Sequence, residues 1–289
     1  MKIYVCLICA LILASCTAPI EIKTEDSPPQ MVVYGYITNE FVQQYVRLTS
    51  SAPFFEQESN QDVEDADVRL HSSEGKDYRF EYRGHGYYVS IQRFSGKPGV
   101  TYNLDINVDF DRDGEVENYG ATTTMPATVE ADSVEIVEID IMGYRHYSLN
   151  LYMQDPPEAN YYLFKFFIND TLTNDFLREL IISDDHTYNG SYIDGASIIY
   201  FEDAENEEVQ EMNEEYENMY LVTHGDRVRF QVINIEKGYY DFIRECKAER
   251  RGENPFFGGP PSNITTNITN NGIGYFSSYY VQEKEVVVP

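Results

Sequence analysis

Asp67-Val68-Arg69-Leu70-His71-Ser72, a turn at Ser73-Glu74-Gly75-Lys76, and then Tyr78-Arg79-Phe80-Glu81-Tyr82 decide the fold of this chain. Apolar and polar residues alternate along the first segment, as in a strand with one buried face, and the turn chemistry returns the chain antiparallel. The neighbours repeat the pattern. Upstream stand Met31-Val32-Val33-Tyr34-Gly35-Tyr36-Ile37-Thr38, β-branched and aromatic, and the alternating Tyr45-Val46-Arg47-Leu48-Thr49. Downstream come Gly86-Tyr87-Tyr88-Val89-Ser90, a turn at Gly96-Lys97-Pro98-Gly99, and Thr101-Tyr102-Asn103-Leu104-Asp105-Ile106-Asn107-Val108. Short strands punctuated by Gly, Pro and Asp predict an antiparallel sandwich over residues 31–126, closed by Thr122-Thr123-Thr124-Met125-Pro126.

The order of strands and turns in that unit resembles the prealbumin-like and carboxypeptidase-regulatory-like modules, a likeness of fold alone. A second β-rich domain is expected over 127–289, with strands at 133–141, 147–153, 161–168, 197–201 and 227–235. Residues 161–168, Tyr-Tyr-Leu-Phe-Lys-Phe-Phe-Ile, are apolar on both faces and predict a central strand. Residues 174–182 suit a short helix or a strand. Residues 237–251 are the one convincing helix, with an apolar stripe of Tyr239, Phe242, Ile243 and Cys246. Arg244, Lys247, Arg250 and Arg251 favour its C-terminal end, and Gly252 and Pro255 stop it. The expected class is therefore mainly β: two antiparallel β-sandwich units with one helix in the C-terminal region.

The N-terminus carries a different signal. Lys2 precedes an apolar run that closes on Leu13-Ala14-Ser15-Cys16, small residues before a cysteine, which is the pattern a lipoprotein signal peptidase reads. The run is too short to span a bilayer, which needs roughly 20 apolar residues. Residues 1–15 are expected to be a lipoprotein signal peptide, Cys16 the lipidated residue, and 16–30 a polar, Pro-ended tether. The implied place is the outer membrane, lipid-anchored and facing the cell surface. Of 4 cysteines, Cys6 and Cys9 leave with the signal and Cys16 takes lipid, so Cys246 alone remains and folding rests on hydrophobic burial. Across 289 residues the formal charge is −28, which disfavours nucleic acid and anionic headgroups as partners.

Asp109-Phe110-Asp111-Arg112-Asp113-Gly114-Glu115-Val116-Glu117 is the candidate site. Carboxylates at alternate positions converge when a backbone curls around a hard cation, Gly at position six allows the sharp turn, and an acid at position nine closes the shell. Asp109, Asp111, Asp113, Glu115 and Glu117 are the candidate ligands of a structural Ca2+, with a peptide carbonyl of Glu115 added. The pattern resembles calcium loops in β-hairpins of propeller-type proteins; position twelve is Gly120 and the flanks are strands, unlike a helix–loop–helix site. A hydrated acidic turn is the other reading. Residues 202–217 hold nine acids in sixteen and suit a solvated loop or exposed helix. His71, His85, His146, His186 and His224 show no zinc spacing, and Asp184-Asp185-His186 reads as a solvated loop. Nucleophile elbow, phosphate loop and dinucleotide fingerprint are all missing, so no catalytic residues are expected and the chain is not read as an enzyme.

Four segments together resemble a family. They are Val32-Val33-Tyr34-Gly35-Tyr36-Ile37-Thr38-Asn39; Val46-Arg47-Leu48-Thr49-Ser50-Ser51-Ala52-Pro53-Phe54-Phe55; Asp65-Ala66-Asp67-Val68-Arg69-Leu70; and Asn254-Pro255-Phe256-Phe257 leading to Ser262-Asn263-Ile264 and Asn271-Gly272-Ile273-Gly274-Tyr275-Phe276. Behind a lipobox, they are similar to the bacterial outer-membrane lipoproteins grouped as domain of unknown function 4249. The resemblance implies an accessory or ligand-capturing role beside a TonB-dependent outer-membrane receptor, with an unknown nutrient as ligand and no catalytic residues. A structural or adhesive envelope protein with calcium-stiffened sandwiches, and a hydrolase without a recognisable motif, are the alternatives. Asn270-Asn271 and the acidic 202–217 stretch depart from the family's pattern. Independently of the likeness, Gly272 and Gly274 predict a bulged or tightly approached strand with Tyr275 and Phe276 packing inward.

Overall fold

The computed structural model describes residues 28–51, 61–174, 176–206, 208–210, 220–251 and 264–289. Cys16, the signal segment, all of the tether but its last three residues, and the motif residues 52–55, 254–257, 262 and 263 lie outside them.

The protein is mainly β, with two sheets and a 15-residue helix. In the first unit the strands are β1 (Met31–Thr38), β2 (Tyr45–Ser50), β3 (Asp67–Ser72), β4 (Asp77–Tyr82), β5 (Tyr87–Ser90), β6 (Thr101–Val108) and β7 (Glu117–Thr124). Their alternation is real: β6 buries Tyr102, Leu104, Ile106 and Val108 while the residues between face outward. Those side chains join Val33, Leu48, Val68 and Leu70 in one core.

The rest of the chain supplies β8 (Ala131–Ile141), β9 (Tyr144–Gln154), β10 (Tyr161–Ile168), β11 (Thr171–Leu172), β12 (Ile181–Asp184), β13 (Tyr192–Asp203), β14 (Leu221–Val222), β15 (Arg227–Ile235), α1 (Lys237–Arg251) and β16 (Ile273–Val287). Strands β14, β13, β9 and β8 form a four-stranded sheet in that order. The others extend the first unit's sheet to twelve strands, in the order β11, β10, β15, β16, β1, β2, β5, β4, β3, β6, β7, with β12 also on β10. β16 is the seam between the two regions. Its first half pairs parallel with β1, from Val32 opposite Ile273 to Thr38 opposite Tyr279, and its second half pairs antiparallel with β15.

The large sheet curls until β7 meets β16 again. Ser278 N–H donates to Thr123 Oγ1 at 2.9 Å and Gly120 N–H donates to Thr269 Oγ1 at 2.7 Å. Phe276 and Ile268 thereby enter the core of the first unit, so residues from 264 onward complete a sandwich begun at residue 31. The close pairing explains Gly274, which has φ +97° and whose added Cβ would lie 2.1 Å from the Val33 carbonyl oxygen. Tyr275 and Phe276 pack inward as their sequence predicts.

β10 is not central. It is flanked by β15 on one side and only by the short β11 and β12 on the other. Both of its faces are apolar because each is covered: Tyr162, Phe164 and Phe166 face the four-stranded sheet, and Leu163 packs with Tyr239, Tyr240 and Ile243 of α1. Residues 174–182, open between helix and strand in the sequence, lead into β12. The fully buried Asn174 bridges the gap there, accepting from Phe166 N–H at 3.0 Å and donating to the Phe164 carbonyl at 2.9 Å.

Candidate functional site: an acidic hairpin

Residues 109–116 connect β6 to β7, with Val108 opposite Glu117 as the last rung of the ladder. Phe110 turns inward, packs on the first core and meets Tyr119 edge-on at 6.1 Å between ring centroids. That anchor leaves Asp109, Asp111 and Asp113 on the other side of the curl. One carboxylate oxygen from each lies within 4.8 Å of the other two.

Backbone amides hold the acids in place. Asp111 Oδ1 accepts from Asp113 N–H at 3.1 Å, Asp109 Oδ2 from Gly114 N–H at 3.1 Å, and Asp113 Oδ1 from Glu115 N–H at 2.8 Å. Gly114 has φ +96°, the left-handed turn its position calls for. Asp109 Oδ1 is buried and has no hydrogen-bond partner among the described residues. Three carboxylates this close repel each other, and an orphaned buried oxygen adds to the cost, so the donor set suits a hard divalent cation.

Of the five acids the sequence singles out, three come together. Glu117 Oε2 instead accepts from Phe110 N–H at 2.7 Å, tying the two ends of the loop, and the Glu115 side chain stands outside the group.

Other acids depart from expectation. Asp203 is buried and paired with Arg145 at 2.7 Å, so the 202–217 run begins inside the fold; Glu207 and residues 211–217 lie outside the described residues. Of Asp184-Asp185-His186, expected as a solvated loop, only His186 stands exposed in a turn. Asp184 ends β12 and accepts from the Tyr240 hydroxyl at 3.0 Å, and Asp185 is buried, accepting from Asn160 N–H at 2.6 Å. Strand pairing with β10 pulls them in, and no local pattern announces it. Cys246 is half-buried, and burial pushes its thiol up to about 11, away from the reactive thiolate.

The profile of one family, described as a domain of unknown function, DUF4249, matches residues 17–285. The chain belongs to the DUF4249 family. No curated protein matches it. Among solved structures, this DUF4249 chain is similar to a two fibronectin type-III domain segment from chicken tenascin. The identity is 11%, with 72% of this chain and 91% of that chain covered at a TM-score of 0.19, and the fold assignment rests on the strand pairing alone. Among the described residues, no helix is long and apolar enough to cross a membrane.

Proposed function

We propose that this DUF4249 protein is a non-catalytic outer-membrane lipoprotein, anchored through lipid on Cys16 and facing the cell surface. It serves as an accessory, ligand-capturing subunit of a TonB-dependent uptake complex. The observation that carries the reading is Leu13-Ala14-Ser15-Cys16 behind a short apolar run, followed by a Pro-ended tether. A rigid body on a tether suits capture near a pore, since tethering raises the effective concentration of captor and receptor for each other.

Calcium has a structural place in this reading. Bound by Asp109, Asp111 and Asp113, it stiffens the β6–β7 hairpin and performs no chemistry. That hairpin also favours the second reading, a structural or adhesive envelope protein. Mild-detergent capture of the full-length lipoprotein separates the two. Co-purification of a TonB-dependent receptor is expected, while repeated recovery of the protein only with itself or with glycan points to adhesion. Intact mass of the native polypeptide tests the anchor: a chain starting at Met1, or one lacking fatty-chain mass, overturns it.

A further inference from the structure

Between the two sheets, built from strands other than those of the hairpin, lies a cavity of about 220 Å³. Leu151 and Met153 of β9 and Phe164 of β10 supply apolar wall, and the carboxylates of Asp155 and Asp185 join them; Asp184 also borders the space, but its side chain reaches Tyr240 on the helix face of the sheet. Asp155 is 1% exposed and Asp185 5%. Asp155 is satisfied through the Tyr162 hydroxyl on Oδ1 and Gly190 N–H on Oδ2, and Asp184 through Tyr240 and His186 N–H. Asp185 differs. Its Oδ2 takes the Asn160 amide, but its Oδ1 accepts no hydrogen bond among the described residues.

Buried carboxylates are ordinarily paired with a cation. None of the salt bridges among the described residues involves Asp155, Asp184 or Asp185. Burial, with Asp185 beside it, holds the Asp155 carboxyl above the usual carboxylate range. This end of the cavity lacks a positive charge that its chemistry calls for.

We propose that the cavity binds a small organic ammonium ion. The charged head sits on Asp185 Oδ1 beside Asp155, and the body lies against Leu151, Met153 and Phe164. A bare metal ion does not fit, because hard cations take oxygen on all sides and half of this wall is hydrocarbon. An anion is excluded by the carboxylates. The volume falls below the roughly 300–1,000 Å³ of drug-sized sites, which limits the occupant to a primary amine on a short aryl or branched alkyl group. The inference does not depend on a receptor partner, and either can fail without the other.

The test titrates the purified full chain, by calorimetry at neutral pH and low salt, with 2-phenylethylammonium, with its carboxylate counterpart 3-phenylpropionate, and with calcium alone. Saturable one-to-one binding of the amine and none of the acid is expected. Asp185→Asn should weaken the amine by about tenfold or more, the scale of one charge-assisted hydrogen bond. Ala196→Leu adds bulk to the cavity wall with every charge retained, and should abolish binding. Should Asp185→Asn fail to fold, Ala196→Leu and the 3-phenylpropionate control carry the test. No saturable heat from the amine, equal binding of the acid, competition by calcium, or unchanged affinity in the folded variants would overturn the proposal.

Discussion

The acidic hairpin and the acids between the sheets use one residue type in opposite settings. Asp111 and Asp113 stand exposed at the end of a two-stranded ladder, where water hydrates whatever charge a cation does not neutralise. Asp155 and Asp185 sit beside Leu151, Met153 and Phe164, where the charged form has little water to fall back on. The first arrangement suits a small, hard ion bound by oxygen alone. The second suits a cation that brings hydrocarbon with it. Desolvation, not acid content, separates them.

The largest effect that sharpens this contrast is at Asp155. Asp155→Ala leaves the hydroxyl of Tyr162, a tyrosine 3% exposed, without its acceptor, and should lower stability by about 1–3 kcal/mol in urea unfolding. Asp155→Asn keeps an oxygen for Tyr162 and removes the disfavoured charge, so it should cost less. Asp111→Ala without calcium should stay within about 0.5 kcal/mol, as exposed substitutions do. Equal losses at Asp155→Ala and Asp111→Ala would break the comparison. Calcium reverses the ranking. Millimolar calcium is expected to add about 1–2 kcal/mol if the site is of the weak extracellular kind, seen as a raised melting temperature. Asp111→Ala should abolish that rise and Asp155→Asn should leave it intact; identical shifts in wild type and Asp111→Ala would remove the hairpin from consideration. A smaller effect is expected at Gly114→Ala, about 1 kcal/mol, because φ +96° strains any side chain there.

The same division explains what the sequence discloses. The hairpin is local: nine consecutive residues hold every donor, so alternation of Asp and the placement of Gly114 announce the curl. Even there, the diversion of Glu117 to Phe110 N–H needed the register of β6 and β7. Strand limits such as Met31–Thr38 and Arg227–Ile235, and helix Lys237–Arg251, follow from periodicity for the same reason. The cavity is non-local. Asp155 and Asp185 are thirty residues apart, and only the pairing of β12 with β10 and the packing of the second sheet bring them to one void. The β16 seam is likewise invisible to a scan for alternating strands, because parallel pairing of β1 with a strand some 240 residues later leaves no turn between them. Its one local trace is Gly274, which marks a close backbone approach without naming the partner.

Glu236 offers the subtlest test, since it lies between the two regimes. It is half-buried just before α1, accepts from the Thr123 hydroxyl at 2.9 Å, and is further bonded by Thr124 and Tyr275. Its place at a helix N-terminus favours a negative charge, by about 0.3–1 kcal/mol in typical cases. Burial acts the other way and prevails, holding the carboxyl above its ordinary range in spite of the three hydrogen bonds. A carboxyl raised by folding contributes stability that is fully present below its unfolded value and is lost as pH rises through the folded one. Glu236→Gln keeps an acceptor for Thr123 and has no charge to bury. It should therefore match the wild type in acid and become the more stable of the two as pH climbs through and beyond the carboxylate range. Urea unfolding of both proteins from about pH 4 to pH 8 reads the difference directly. A difference that stays constant with pH would mean that the helix terminus offsets desolvation at this position, and that burial does not rank this protein's acids in the way the hairpin and the cavity imply.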